Sequence, residues 1–145
     1  FTSPPYLQVI LYGKFNWVRL WLLGVDGWDL DKQLFTSASL DRYVEFMAAV
    51  IRNTTANLRP DGFACFVIGD VRRGDDQLNL AKIVEERCVP EGLQVIANIA
   101  DKIPPGHKVS RIWKNSKGRA TKTDRLLLLG APDADIPGIG RFRWR

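Results

Sequence analysis

Ser3-Pro4-Pro5-Tyr6 puts a hydroxyl, two rigid rings and an aromatic face in consecutive positions. Pro4 and Pro5 fix φ and lack an N–H, which keeps the carbonyls of Ser3 and Pro4 out of a helix. A loop of this kind can aim hydroxyl and carbonyl oxygens at one donor and hold Tyr6 beside them as a stacking surface. The exocyclic amine of a nucleobase suits that arrangement. Its nitrogen is a poor nucleophile because the lone pair is delocalised into the ring. Hydrogen bonds from its N–H groups to oriented oxygens favour a more tetrahedral nitrogen, whose lone pair can attack a sulfonium methyl in line. Positioning and electrostatics supply the effect, on the order of several kcal/mol together. The base must leave its duplex for Tyr6 to stack on it. The same residues also suit a plain turn or a polyproline-like segment.

Other side chains carry weaker chemical signals. Asp70 can line the same pocket, or can serve as a loop-starting or cap carboxylate. Arg72, Arg73, Lys114, Lys117, Arg119 and Lys122 fall on expected loops and are candidate phosphate contacts, or else a solvated basic surface. His107 follows Pro105-Gly106 and reads as a loop histidine. Cys65 and Cys88 follow Ala and Arg, so neither forms a Pro-Cys nucleophile. They form no C-x-x-C pair, and with a single histidine no zinc site is expected; both read as ordinary buried thiols.

The elements that must position these residues follow from hydrophobic spacing. Residues 14–23 are too apolar for a surface loop and predict a short buried helix ended by Gly24. Residues 25–37 read as an Asp- and Gly-rich loop. Ser37 or Ser39 can cap a long helix whose inner face runs through Leu40, Tyr43, Val44, Phe46, Met47, Val50, Ile51, Thr54 and Leu58, and Arg59-Pro60-Asp61-Gly62 turns the chain out of it. The apolar run 63–68 predicts a strand covered on both faces. Residues 71–76 read as a polar loop, 78–89 as an amphipathic helix and 93–100 as a strand. Residues 109–113 and 126–129 predict two last strands with no helix between them, hence an antiparallel pair at one edge. The five tryptophans are expected mostly in the core, Trp144 excepted. The alternation predicts an α/β layered partial sheet, with residues 1–131 as one unit and 132–145 as an irregular tail.

Composition bounds the function classes. The chain has 145 residues, 46% hydrophobic and 26% charged, which suits one folded domain rather than a disordered chain. No apolar stretch is long enough for a bilayer and no signal peptide is visible, so a cytoplasmic location is expected. Lys and Arg number 21 against 16 Asp and Glu, mild support for a polyanionic partner. From Lys108 to Arg125 seven bases face a single acid, Asp124.

Thr2-Ser3-Pro4-Pro5-Tyr6-Leu7 resembles the catalytic motif of S-adenosylmethionine-dependent DNA amino-methyltransferases, in the version frequent among cytosine-N4 enzymes. Later segments are similar to that family in the same order: Tyr12-Gly13 with Trp17 and Leu20-Trp21-Leu22-Leu23-Gly24, the helix from Ser39, Leu58-Arg59-Pro60-Asp61-Gly62 leading into Phe66-Val67-Ile68-Gly69-Asp70, and Ile112-Trp113-Lys114 with Asp124-Arg125-Leu126-Leu127. The resemblance implies a Rossmann-like methyltransferase fold with helices on the faces of a partial sheet and a C-terminal antiparallel hairpin at one edge. It implies methyl transfer from S-adenosylmethionine to a flipped base in DNA, cytosine N4 ahead of adenine N6. Ser3 and the Pro4 carbonyl would accept from the amine, Pro5 would brace the loop and Tyr6 would stack.

One departure narrows this. The family's glycine-rich cofactor loop is not found, and Gly138-x-Gly140 has neither a strand before it nor room for a helix after it. The chain starts without Met and without an element before Pro4-Pro5, so it is expected to be the catalytic-motif half of a longer domain, inactive alone. Its cofactor half would lie upstream or, in a permuted relative, downstream; the partners expected are DNA and either that half or a homodimer mate. The alternatives are a non-catalytic basic nucleic-acid-binding module, a degenerate remnant of the enzyme, or methylation of RNA or a protein glutamine, against which Ser3 in place of Asn argues.

Overall fold

The computed structural model describes residues 1–7, 11–35, 37–73, 75–102, 120–132 and 134, with Arg73, Lys102 and residues 120–122 described by backbone alone. Candidate residues Lys114, Lys117 and Arg119, together with His107, the strand expected at 109–113 and Gly138-x-Gly140, lie outside the described residues.

Three short helices, α1 (Tyr12–Phe15), α2 (Trp17–Leu22) and α3 (Gly27–Gln33), precede the long helix α4 (Leu40–Thr55). The Ser39 side chain caps α4, accepting from Arg42 N at 3.4 Å, as its residue type predicts. The helix buries Tyr43, Val44, Met47 and Ile51, one face at helical spacing. Gly62 N donates to Arg59 O at 2.9 Å, closing the expected turn into strand β1 (Phe63–Arg73). After β2 (Asp76–Leu78), Asn79 caps helix α5 (Leu80–Cys88) by accepting from Lys82 N at 2.9 Å. Strands β3 (Gln94–Lys102) and β4 (Ala120–Gly130) follow.

The fold is mixed α/β, built on a four-stranded sheet of order β2-β1-β4-β3 in which every hydrogen-bonded neighbour is antiparallel. Because β1 and β3 both run against β4, they run in the same direction as each other, with α5 crossing between them. The antiparallel edge pair is therefore β3 with β4. Residues 126–129 pair with β1 on one side and β3 on the other. At the other side of β1, Thr2 forms a parallel bridge to Phe66, with Thr2 N donating to Cys65 O and Val67 N to Thr2 O, both at 2.9 Å.

Register explains the core. Ala64, Phe66 and Ile68 alternate on one face of β1 opposite Leu129, Leu127 and Arg125 of β4. The apolar members of this face meet α4 and α5 in one cluster with Met47, Leu80 and Val84, all fully buried. Cys65 and Gly69 belong to the opposite face, opposite Leu128 and Asp124. Cys65 is buried there and Cys88 on the helix side, both as free thiols, where Cys88 Sγ donates to Val44 O at 3.4 Å and ties α5 to α4. Burial on both faces of β1 is the covered strand its unbroken apolar run predicts.

Four expectations are corrected. Residues 14–23 form two helices, and they are exposed rather than buried. Residues 25–37 are not a loop throughout, because Asp26 accepts from Trp28 N at 2.7 Å and Asp29 N at 3.2 Å and so nucleates α3. Residues 71–76 are mostly strand: β1 continues to Arg73 and turns back into β2, with Val71 paired to Leu78. Trp17, Trp21 and Trp28 lie outside the core, and the remaining two tryptophans outside the described residues.

Candidate functional site

The Ser3-Pro4-Pro5-Tyr6 loop leaves the edge of β1 directly after the Thr2 bridge. Parallel pairing sends it in the direction of β1, from Phe66 towards Gly69 and Asp70 within the strand. Ser3 is exposed, Pro4 is buried, and Pro5 and Tyr6 are half-buried; Leu7 then enters the core and anchors the far side of the loop. The prolines thus set the backbone, while Ser3 and Tyr6 stay within reach of solvent.

Tyr6 packs over Gly69. A Cβ placed on Gly69 would lie 3.4 Å from Tyr6 Cε2 and Cζ and 3.2 Å from Asp124 Oδ1. The glycine therefore leaves room for the ring, and the Asp124 carboxylate shares that space. Cross-strand register puts Asp124 opposite Gly69, on the same face of the sheet. Burial pushes the Tyr6 phenol up, a hydrogen bond with the Ser3 side chain pulls it down, and the nearby charges of Asp124 and Tyr12 add to the rise. The phenol stays protonated at neutral pH, so it can stack and donate without adding negative charge. The site thus brings the Ser3 hydroxyl to the Tyr6 phenol, and the Asp124 carboxylate to the Tyr6 ring beside Gly69. Such a set can orient and polarise an amine.

Asp70 does not join it. Its side chain is fully buried and accepts from Arg125 Nε at 2.8 Å, Arg125 Nη2 at 3.0 Å and Gln77 Nε2 at 2.8 Å. This bidentate pair ties β1 to β4, and Gln77 adds β2. The physical reason is alternation: Asp70 and Arg125 stand with Ile68 on the helix-covered face, while Gly69 and Asp124 stand on the other. Arg125, part of the basic run, is consequently committed inside the fold. Sequence reasoning missed Asp124 as a neighbour of Tyr6; only the β1–β4 register brings it there, and no local spacing encodes that register.

The candidate phosphate contacts are less well placed. Arg72 is exposed on the β1–β2 hairpin, opposite Gln77. Arg73 pairs with Asp76 through the backbone, and the Lys122 backbone belongs to β4. Among the described residues no cluster of His, Cys, Asp and Glu could hold a metal ion. No described helix is long and apolar enough to cross a membrane.

A second concavity, about 430 Å³, lies among the short helices and is lined by Trp17, Trp21, Val25 and Trp28 with Gly13, Lys14, Asp26 and Gly27. It shares no residue with the Ser3–Tyr6 loop. Comparison with known proteins finds no matching family model, no matching curated protein and no matching solved structure.

Proposed function

We propose that this chain is the amine-binding part of an S-adenosylmethionine-dependent DNA amino-methyltransferase, acting on an exocyclic amine of a flipped base, cytosine N4 ahead of adenine N6. The observation that carries this is the seat of the motif. Ser3-Pro4-Pro5-Tyr6 leaves a parallel bridge at Phe66, runs in the direction of β1 and ends with Tyr6 over Gly69 beside Asp124. In open α/β sheets ligands bind in the crevice beyond the carboxyl ends of the strands. The Rossmann-like reading is supported by Thr2 running parallel to β1 and by β1 and β3 sharing a direction across the α5 crossover.

Within this reading the chain's own groups orient the acceptor. Ser3 Oγ and the Pro4 carbonyl take the two amine hydrogens, Pro5 holds the loop, and the Tyr6 ring covers the base plane. The described residues do not fit the methyl donor. No strand among them runs through a glycine turn into a helix: β1 passes Gly69 and continues into the β2 hairpin, and Gly69 is filled by Tyr6 and Asp124 rather than open. No step is therefore assigned to the donor, and the half that holds it is proposed to be separate from these residues.

The test is methyl transfer from tritiated S-adenosylmethionine to unmodified DNA, by a polypeptide carrying this chain together with its glycine-loop half. Ser3→Ala combined with Tyr6→Ala should lower the rate at least about a hundredfold, the scale of losing preorganised polar groups at a reacting centre. Transfer unchanged by the pair would sink the assignment.

A further inference from the structure

Apolar side chains normally turned inward are turned outward in α1–α3. Trp17, Trp21 and Trp28 are 65%, 72% and 70% exposed, and Phe15, Leu22 and Leu23 are 63%, 72% and 76% exposed. With Val18 and Val25 they crowd into 14 consecutive residues, 15–28. From the size of such side chains the exposed area is roughly 1,000 Å². The largest apolar patch on an ordinary monomer is about 300–600 Å². A stable pairwise interface buries about 800 Å² per partner.

Hydrogen bonds and a close backbone contact within α1–α3 hold the patch together. The Asp31 carboxylate, buried in α3, accepts from Gly13 N at 2.7 Å and Lys14 N at 3.3 Å and so caps α1. Gly13 and Gly27 touch backbone to backbone: a Cβ on Gly13 would overlap the Gly27 carbonyl oxygen. A Schellman turn closes α2, with Val25 N donating to Leu20 O at 2.8 Å, Gly24 N to Trp21 O at 3.0 Å and Gly24 at φ +68°. Glycine contacts and a buried carboxylate form the inner seam, and this sends the indoles outward.

The patch holds a concavity of about 430 Å³ lined by Trp17, Trp21 and Trp28, and beside it, at the turn that closes α2, the exposed Leu22 and Leu23, which do not line it. Lys14 and Asp26 at the concavity carry opposite signs, so like charge does not oppose a second identical surface. A surface that holds both a pocket and exposed apolar side chains outside it can supply both sides of an isologous twofold contact.

We propose that α1–α3 form a homodimer interface in which Leu22 and Leu23 of each chain enter the Trp17–Trp21–Trp28 pocket of the other. This goes beyond the methyl-transfer reading and stands without it. Light scattering behind size exclusion, on the 145-residue chain over a dilution series, should give twice the 16.4 kDa of one chain. Leu23→Asp and, separately, Trp21→Ala should return the single-chain mass and shift indole emission to the red, with far-UV circular dichroism and Tm kept within a few degrees, since both side chains point to solvent in the single chain. A single-chain mass at every concentration would overturn the proposal. So would a dimer insensitive to both substitutions, or open-ended assemblies that grow with concentration.

Discussion

Asp70 shows how much one side chain can be asked to hold. Its carboxylate is fully buried and takes two guanidinium hydrogen bonds from Arg125 and one from Gln77, joining three strands at one point. Two charges removed from water gain little over an apolar pair, but removing one of them leaves the other uncompensated. Arg125→Met is therefore expected to cost about 2–4 kcal/mol, the Arg125 side chain being 20% exposed and so partly solvated. Urea denaturation checks this, and adding Asp70→Asn should recover part of the loss. A cost below about 0.5 kcal/mol would mean the pair behaves as a surface ion pair. The sequence placed Asp70 after the end of a strand, as a loop-starting or cap carboxylate, whereas β1 runs on through it to Arg73. The commitment of Asp70 to Arg125 was not recognisable there, because 55 residues separate them and only strand register brings them together.

At the scale of elements, α4, α5 and β1 were legible because their signals are local and redundant. Ser39 as a cap, a four-residue inner face and an Arg-Pro-Asp-Gly turn all agree with one another. The α1–α3 region was misread because an apolar run does not by itself require burial, and here the contact between α1 and α3 is made by Gly13, Gly27 and Asp31 instead. Gly13 is the residue on which that contact turns. Gly13→Ala must push α1 away from the Gly27 carbonyl oxygen and break the Asp31 cap. We expect it to change the near-UV circular dichroism and tryptophan emission strongly, while the α4–α5–sheet core keeps most of its far-UV signal. Gly24→Ala, at φ +68° with open space around it, should cost about 1 kcal/mol through backbone strain alone and leave that emission in place.

For the whole molecule, the buried titratable groups set a pH limit on the alkaline side. Burial raises the Cys65 and Cys88 thiols above their ordinary value of 9.0, and it raises the Tyr6 and Tyr43 phenols above 10.0, Tyr43 by the most. Each of these groups holds its proton more tightly folded than unfolded. Their contribution to stability is thus complete below about pH 9 and is lost as pH rises past the thiol value and then past the phenol value. Tm should be flat from about pH 7 to 9 and fall by several degrees by about pH 11. Tyr43→Phe should make the upper part of that fall shallower, and an equally steep fall in that variant would remove Tyr43 as its cause.

The sequence by itself determined the segments whose structure rests on neighbours along the chain: capped amphipathic helices, the apolar run of β1, a Pro-Pro segment kept out of helix and strand, and the presence of a hydroxyl and an aromatic ring within one short loop. It also suggested an alternating α/β plan, from which the strand directions could not be read. The tertiary structure alone decided that β4 lies between β1 and β3, that Asp124 rather than Asp70 stands beside Tyr6, and that three tryptophans face outward. Each of these depends on register or on contacts between distant segments, where a shift of one residue exchanges the two faces of a strand. Local spacing does not carry that information.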